Sequence, residues 1–592
     1  MITLGLPATS VRFAWLSLWL IGLLLPQRVA AQSKELGTAQ SAKVSYEAQR
    51  TARLLHAENL ELEPAPEGKR IAFIRIVRDD VFVAEEVWPT WFNWFHGRTR
   101  ENVVRRELLF ATGAGYETAR IEETMRNLRG MGIFALVRIV PVKAMKPEEV
   151  GVVVHTRDLW SLRLEEDFNV THQLNSLLIR GTEVNAFGRN KTVSADITVI
   201  PKSYTITEAY YARRVLGSSL AVSERAGLIF KRGDNVVEGN LWSLALGQPY
   251  YLLKQRYSWI GGFSHDNRVA RTVQGTTILT FPNVEGYPGP YAERVYRRRS
   301  DAGSLAGHIR LGERVKQTFS AGWDYRRLLA RSIGVPEELQ DAFALRVMPK
   351  QRAESGPSLS YDLFTPFWET FVNLATYGQS ENVRVGPHAL LSTRLPLRAF
   401  GSTTDSWVLS GDLGLTLAPR GALIDVRATT SGRYEGQRFV DQWSTFLLRG
   451  ASPVFSVFRL VGSLSLDMRR RDTQNTFVTL GGDSGLRGYN SQTLQGIGAN
   501  RAIANFELRT LPIAWQAVHV GGVLFYDVGS VYKNLGGFRP YHAIGLGARL
   551  LFPQFNRYPF SFDGGMSFDP GFRFVPTITS GQVVMLTAAE GG

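Results

Sequence analysis

The chain of 592 residues contains no cysteine. Without thiols it can form neither a disulfide framework nor a thiolate metal site, and thiol catalysis is excluded. Its nine histidines include no HExxH motif and no pair spaced four residues apart, and no Walker-type glycine loop occurs. We therefore predict no metal, no cofactor and no enzymatic activity, and expect the function to come from the shape of the protein.

Long hydrophobic runs are also missing from the interior of the chain. No internal window approaches the roughly 18 consecutive apolar residues that a spanning helix needs, and the mean hydropathy is −0.10. A membrane protein of this kind must cross as a closed β-barrel, the other architecture that pairs every backbone polar group within lipid. Residues 460–469 show the alternation expected of such strands, with Leu464 and Leu466 opposite Ser463 and Ser465. A large soluble β-sandwich would alternate in the same way.

The amino terminus favours the barrel over the sandwich, because it predicts export. Residues 1–31 resemble a secretory signal peptide: Arg12 supplies the positive region, residues 13–25 the apolar core, and residues 29–31 (Val-Ala-Ala) a small-residue cleavage site. Residues 32–68 are polar and rich in alanine, glutamate, lysine and glutamine. We predict a linker with some helical character over this stretch.

Residues 69–157 predict a small α/β module. Residues 71–77 have strand character, and a helix containing Val104 and Leu108 follows. A second helix carries an apolar stripe at Ile121, Met125 and Leu128, and is expected to end at Gly130. Two further strands are predicted near 135–140 and 150–155, which gives the order β-α-α-β-β.

The segment LGGDSGLRGY, residues 480–489, supports two incompatible interpretations. Residues 482–485 (GDSG) match the turn around the nucleophile of a chymotrypsin-like protease. Such a site needs a histidine base and an orienting aspartate, and no Ala-Ala-His-Cys-like segment precedes Ser484. The other interpretation takes residues 486–489 (LRGY) as the tip of a long loop that folds back into a barrel.

Alternating strands after this segment favour the loop interpretation. In residues 501–509, Asn505 and Glu507 share one face, and Phe506 and Leu508 share the other. In residues 523–529, one face carries Phe525, Asp527 and Gly529. In residues 543–551, one face carries Gly545, Gly547 and Arg549, where glycine leaves room for material inside the barrel.

Together these segments resemble the carboxy-terminal barrel of the BamA/TamA superfamily of outer-membrane assembly and translocation proteins. The loop motif of that family, (V/L/I)RG(F/Y), is matched by Leu486, Arg487, Gly488 and Tyr489, and its FxDxG strand motif by Phe525, Asp527 and Gly529. The module at 69–157 resembles a POTRA domain, the periplasmic module of the superfamily, present here in one copy. The resemblance implies a lumenal site in which Arg487 pairs with Asp527 and Glu507.

The implied fold is mainly β, a 16-stranded transmembrane β-barrel over residues 158–592 preceded by one POTRA domain. Residues 185–190 resemble the early hairpin turn of the family, with Gly188 suited to positive φ. We expect long external loops at 281–301 and 334–355. The closing strand is expected within 575–585, weakened by Pro576 and Gly581, and 559–568 is the alternative.

An aromatic segment lies inside the module. Five aromatic residues fall within residues 88–95, and they suggest either a small core beneath a loop or an anchor at the membrane interface, where tryptophan is favoured. These are Trp88, Trp91, Phe92, Trp94 and Phe95.

Function and partners follow from the resemblance. It implies insertion or export of unfolded polypeptide clients at the outer membrane of a Gram-negative bacterium, with the POTRA domain and any accessory proteins in the periplasm. The alternative is a passive outer-membrane channel or a surface antigen without a client. The net charge of +15 favours acidic clients or lipopolysaccharide, and export makes nucleic acid a poor candidate. The arginine runs 297–299 and 469–471 could meet anionic headgroups or line a pore.

Overall fold

The computed structural model describes residues 46–83, 88–170, 174–274, 277–282, 288–482, 485–489, 494–497, 499–515, 518–555, 558–568, 574–580 and 584. The predicted signal peptide and residues 32–45 of the predicted linker lie outside this range. Within the described part of the chain, no helix is both long enough and apolar enough to cross a membrane.

The first part of the described chain forms an α/β module with the predicted order of elements. Its three-stranded sheet has the order β1-β3-β2, with β1 parallel to β3. The second predicted helix buries Ile121 and Leu128 against this sheet, as the apolar stripe requires. The elements of the module are α1 Tyr46–Ala57, β1 Arg70–Asp79, α2 Glu101–Arg105, α3 Thr118–Arg129, β2 Phe134–Lys143 and β3 Glu149–Asp158.

Helix α1 lies within the stretch that we assigned to the linker, and it belongs to the folded module. Leu55 is buried against Val140, Val142 and Val153 of the sheet. At the end of the sheet, His155 joins α1 to β1, since its Nδ1 lies 3.1 Å from the Thr51 hydroxyl and its Nε2 lies 3.0 Å from Asp79 Oδ2.

This contact predicts a pH dependence for the docking of α1. Burial raises the pKa of Asp79, but His155 and Arg50 outweigh burial and hold that pKa below its ordinary value. The contact therefore stabilises the module above the unfolded-state pKa of about 4, and the stabilisation is lost as pH falls through the lower folded-state pKa. In wild type, we expect the protection of the α1 amides from hydrogen exchange to decrease as pH falls through this range. We expect Asp79→Asn to make that decrease smaller. Asp80→Asn, at the neighbouring residue, is the matched control, and an equally small decrease in both variants would contradict the assignment.

The remaining described chain forms a closed barrel and the small strands in its loops. The first half contains β4 Leu162–Val170, β5 Leu174–Glu183, β6 Lys191–Ile200, β7 Ser203–Ala212, β8 Ala221–Lys231, β9 Val237–Gln248, β10 Tyr257–Arg271, β11 Val273–Gln274, β12 Thr277–Ile278, β13 Thr280–Phe281, β14 Ala292–Glu293, β15 Val295–Leu311, β16 Lys316–Ser332, the helix α4 Gln340–Arg346, β17 Arg352–Phe364 and β18 Phe367–Val372. The second half contains β19 Ser380–Arg394, β20 Trp407–Leu417, β21 Leu423–Glu435, β22 Arg438–Ala451, β23 Phe458–Arg470, β24 Phe477–Leu480, β25 Leu494–Ile497, β26 Asn500–Thr510, β27 Ile513–Trp515, β28 Val518–Tyr532, β29 Tyr541–Leu551, β30 Phe560–Ser567 and β31 Phe574–Ser580.

The closed sheet is antiparallel between successive strands, as short connections dictate. It contains 22 strand segments among the described residues, two of which continue a neighbouring segment, and this leaves 20 strands. Strands β17 and β18 both pair with β19, and β26 and β27 both pair with β28.

The number of strands is higher than the 16 that we predicted. Part of what we assigned to long external loops is strand. Residues 295–301 belong to β15 and residues 352–355 belong to β17, and β10, β15 and β16 run for 15 to 17 residues.

Side chains on the two faces of the barrel differ as the alternation predicts. Large apolar side chains are exposed on the outer face, among them Leu164, Leu305, Leu359 and Leu546. The lumenal face carries buried charged side chains. A closed sheet with an apolar exterior satisfies its backbone internally and faces lipid, so the fold is a transmembrane β-barrel.

Strand β31 closes the barrel by lying between β30 and β4. It is seven residues long and contains Pro576, opposite Gly564 of β30. The closing strand therefore overlaps the predicted 575–585 region, and the alternative segment 559–568 contains the preceding strand, β30. Residues 581–583 and 585 of that region lie outside the described residues.

Candidate functional site

The LRGY segment lies inside the barrel, on the connection between β23 and β26. Strands β24 and β25 pair with each other within that connection. Leu486 and Tyr489 are buried together with Leu480, Ile503 and Ala543. The Tyr489 hydroxyl donates to the backbone oxygen of His542, at 3.1 Å. We call residues 477–497 the lumenal loop.

Arg487 is the centre of the site, with its side chain 1% exposed. Its Nε and Nη2 donate to the two oxygens of Asp527 at 2.7 and 2.8 Å, a bidentate pair. Nη1 donates to Glu507 Oε1 at 2.8 Å and to Asp563 Oδ2 at 3.1 Å. The guanidinium carbon lies 3.6 Å from the centre of the Phe525 ring, within the range of a cation–π contact.

Two further arginines balance the charge around Arg487. Arg509 Nε donates to Glu507 Oε2 at 2.7 Å, and Arg549 Nη2 donates to Asp563 Oδ2 at 3.2 Å. The buried cluster therefore holds three guanidiniums and three carboxylates. A buried charge is tolerated only when it is paired and hydrogen-bonded, and here each carboxylate has an arginine partner.

Glycine lets the lumenal loop approach the barrel wall. Gly488 has φ +85°, and a Cβ there would lie 2.9 Å from the Cβ of Ala543. A Cβ on Gly565 would lie 2.5 Å from the backbone nitrogen of Gly488. On the strands, a Cβ on Gly529 would meet Leu480, and one on Gly545 would meet the ring of Phe525. Only glycine allows this closeness.

The structure brings all eight predicted lumenal residues together: Leu486, Arg487, Gly488, Tyr489, Glu507, Phe525, Asp527 and Gly529. Sequence reasoning missed Asp563, because it treated 559–568 only as an alternative closing strand. It also missed Asn505, whose side-chain amide donates to Asp527 Oδ1 at 2.8 Å. Both residues lie on the inward faces of their strands, and the alternation of side chains along each strand is the signal that could have identified them. Ser484, on which the protease interpretation depends, lies outside the described residues.

The predicted interface segment divides into two parts. Trp88 and Phe92 pack against Phe82, and Trp88 also packs against Phe555 at a ring distance of 5.3 Å. Phe555 lies just after β29, so these contacts join the module to the barrel rim. Trp91, Trp94 and Phe95 are 49%, 86% and 69% exposed. Part of the segment is therefore a small core, and the rest presents aromatic rings outward.

An ion pair also fastens the module to the barrel. Arg214, in the turn between β7 and β8, donates to both oxygens of Glu107, at 2.6 and 3.1 Å. Burial lowers the pKa of Arg214, but its hydrogen bonds to Glu107 outweigh burial and raise that pKa above its ordinary value. Glu107 itself is 1% exposed. We call the barrel rim that contacts the module the module end, and the opposite rim the far end.

We expect Glu107→Ala to loosen the module from the barrel. The substitution leaves Arg214 partly buried without its carboxylate, at a cost of about 2 kcal/mol or more. Limited proteolysis at residues 158–161 measures the effect. Glu101→Ala is the matched control, because Glu101 lies nearby on α2 in an exposed pair with Arg105, and such pairs contribute under about 1 kcal/mol. Equal protease sensitivity of both variants would contradict a fastening role for Glu107.

Among the residues that the structure describes, no group of three or more histidine, cysteine or acidic side chains is arranged to hold a metal ion. The site shown by the geometry is instead a set of paired charges that holds a loop inside a membrane barrel.

No protein-family model and no curated protein matches the chain. Among solved structures, the chain is similar to BamA from Haemophilus ducreyi lacking POTRA domains 1–3, at 13% identity over 88% of each chain and a TM-score of 0.33. It is also similar to CdiB from Escherichia coli, at 11% identity over 98% of this chain and 99% of that one, with a TM-score of 0.39.

The chain resembles barrels of the BamA and CdiB type. The siderophore receptor PirA from Acinetobacter baumannii also matches, at 10% identity over 73% of this chain and 66% of that one, with a TM-score of 0.32.

Proposed function

We propose that the protein inserts or exports polypeptide clients at the outer membrane of a Gram-negative bacterium, as a barrel gated by its amino-terminal module and without covalent chemistry. The observation that carries the proposal is the contact of helix α3 with the module end of the barrel. The module is proposed to be a POTRA domain that lies in the periplasm and receives unfolded clients.

Helix α3 contacts the rim at two separate places. Toward the turn between β9 and β10, Glu123 Oε1 accepts from Leu253 N at 2.6 Å, and Asn127 Nδ2 donates to the Tyr251 oxygen at 3.1 Å. Toward β18 and β19, the Arg126 guanidinium lies 4.2 Å from the Trp368 ring. Four strands, β10, β15, β16 and the broken β17–β18, lie along the wall between β9 and β19. Helix α3 therefore lies against this part of the rim, and we propose that a client must displace the module or enter beside it.

The lumenal loop obstructs the same barrel from within. Its own strands, β24 and β25, pair with each other, and the Arg487 cluster joins it to β26, β28 and β30. Of these strands, β30 pairs with the closing strand, β31, and β28 lies two strands before β30 in the wall. The loop is therefore placed to sense or stabilise this part of the wall, and its release would change the strands nearest the seam.

The seam itself favours strand addition. Strand β31 has seven residues, and Pro576 within it has no backbone N–H to donate. A short strand with a missing donor holds its neighbour less firmly than a full strand does. An opened edge is a template for an incoming strand, which is how a client could be accepted without chemistry.

Purified full-length protein in liposomes tests the proposal. We expect it to accelerate the folding of an added, unfolded outer-membrane β-barrel protein relative to empty liposomes. Conductance without acceleration would indicate a passive channel instead. The absence of both activities would indicate a surface antigen without a client. Both outcomes would overturn the proposal.

Because the chain has no cysteine, engineered crosslinks can test the gating step. Asn127→Cys with Leu252→Cys, joined by a short cleavable bismaleimide, ties α3 to the rim. We expect this crosslink to abolish acceleration and its cleavage to restore it. The control pair Val215→Cys and Leu220→Cys joins two positions within one turn and adds no crosslink between the module and the barrel. Unchanged acceleration with α3 tied would show that the module does not gate the barrel.

A further inference from the structure

Four arginines lie together on the outer face of the barrel. Arg297 and Arg299 are on β15, and Arg327 and Arg331 are on β16. The register places Arg297 opposite Arg331, and Asp301 opposite Arg327. We call these four residues the outer arginine patch. The sequence singled out only the run 297–299, and not the two arginines of β16.

The register also shows which way these arginines face. Side chains alternate along a strand, so the odd-numbered residues of β15 share the face of Leu305, and those of β16 share the face of Trp323. Leu305 and Trp323 are opposite each other and are 60% and 41% exposed on the apolar exterior. The patch therefore lies on the lipid-facing side of the wall. The intervening Arg298 and Arg326 face the lumen.

The patch lies at the boundary between the apolar exterior and the aqueous phase. Toward the module end, the same two strands expose apolar side chains, and toward the far end they expose arginines. Tryptophan and tyrosine are typical of this boundary, and Trp323 and Tyr325 lie just below Arg327. The exposed apolar residues on this face of β15 and β16 are Leu305, Ile309, Leu311, Phe319 and Trp323.

The positive charge of the patch is not balanced by the described protein. The acidic residues beside it are already engaged: Asp301 by His265 Nδ1 at 2.6 Å and by Arg299 Nε at 3.0 Å, and Glu238 by Arg271 Nη2 at 2.6 Å. Arg297 donates to the backbone oxygen of Glu238, and no ion pair joins Arg297, Arg327 or Arg331 to a described carboxylate. Like charges directly opposite in a sheet repel each other. An anion between Arg297 and Arg331 would remove that repulsion.

We infer that the outer arginine patch binds the phosphates of lipid A, the phosphorylated glycolipid anchor of lipopolysaccharide. Arginine pairs with phosphate through two parallel N–H donors, and residues two apart on a strand are about 7 Å apart. Four guanidiniums can therefore engage two phosphate groups at the headgroup level while the acyl chains lie against Leu305 and Trp323. The inference requires a barrel in a membrane with its far end outward, and it does not depend on client transport.

Binding of bisphosphorylated lipid A to full-length protein in detergent tests the inference. The variant Arg297→Gln/Arg331→Gln is compared with Arg298→Gln/Arg326→Gln, which removes the same charge from neighbouring residues that face the lumen. We expect the outer pair to weaken binding by about tenfold or more and the lumenal pair by less than about twofold. Equal weakening by both variants would show that only net charge matters, and it would overturn the inference.

Ligand controls identify the source of the phosphate. Lipid A stripped of both phosphates is expected to bind wild type as weakly as the outer variant binds intact lipid A. Equal binding of the stripped lipid, full competition by millimolar inorganic phosphate, or equal binding of phosphatidylglycerol would each overturn the assignment. Heat-modifiable gel mobility confirms folding of each variant. If the outer double variant does not fold, Arg331→Gln is compared with Arg331→Lys, and rescue of binding by lysine supports the site.

Discussion

Arg487→Ala is expected to be among the most damaging single substitutions in the barrel. It leaves Glu507, Asp527 and Asp563 with only two arginines in a buried cluster. Removing one member of such a cluster costs on the order of 3–5 kcal/mol, because the remaining charge is uncompensated. We expect the barrel to lose its heat-modifiable mobility at a lower temperature, and the assembly of an added client to fall in parallel.

Alanine at Arg297, Arg298 and Arg299 together is the comparison for Arg487→Ala. These arginines lie in the outer half of β15 and are at least partly exposed, and exposed charges are worth under about 1 kcal/mol each. The triple variant therefore removes three charges, yet should unfold in detergent close to wild type. Equal losses of stability and client assembly from both variants would mean that the lumenal loop is not held by Arg487.

Gly565→Ala tests the same loop without changing any charge. Its Cβ would lie 2.5 Å from the nitrogen and 2.7 Å from the Cα of Gly488, and these backbone atoms cannot rotate away. The lumenal loop must shift, which draws Arg487 from its carboxylates. Overpacking alone costs about 1–3 kcal/mol, and the disrupted pairing adds to it. We expect lower thermal stability and new protease cleavage within residues 477–497.

Gly307→Ala is the matched control for the glycine substitution. Gly307 also lies within a barrel strand, and no heavy atom lies within 4 Å of the position of its added Cβ. An alanine there should leave the loop protected and the stability close to wild type, since a compatible Gly→Ala change is neutral or slightly stabilising. Protection of the loop in Gly565→Ala, as in Gly307→Ala, would contradict the close packing of Gly488 against β30.

Local alternation was sufficient to predict the faces of individual strands. The inward face of β26 carries Glu507 and Arg509, and that of β28 carries Phe525 and Asp527, as the period of two predicts. The order of elements in the module was predictable for the same reason. The apolar stripe of α3, for example, is formed by residues only a few helical turns apart. Such patterns depend only on residues that are close together in the sequence, so the sequence is sufficient to recognise them.

The number of strands could not be predicted in this way. The length of a strand depends on how far its hydrogen-bonded pairing continues beyond the membrane, as in β15 and β16. That pairing is determined by the neighbouring strands. Asp563 likewise joins the Arg487 cluster from 76 residues away along the chain. No local pattern indicates which inward carboxylates converge on one guanidinium.

The resemblance of the sequence to BamA/TamA barrels implied that Arg487 and Asp527 belong to one site. The sequence by itself determined that this protein is mainly β and that its strands have one apolar and one polar face. These properties depend on backbone period and on the cost of unpaired polar groups in lipid. The tertiary structure decided that the barrel closes through β31, that α3 contacts its module end, and that four arginines meet on its outer face. Those outcomes depend on register and closure, which bring distant residues together only when the whole sheet has formed.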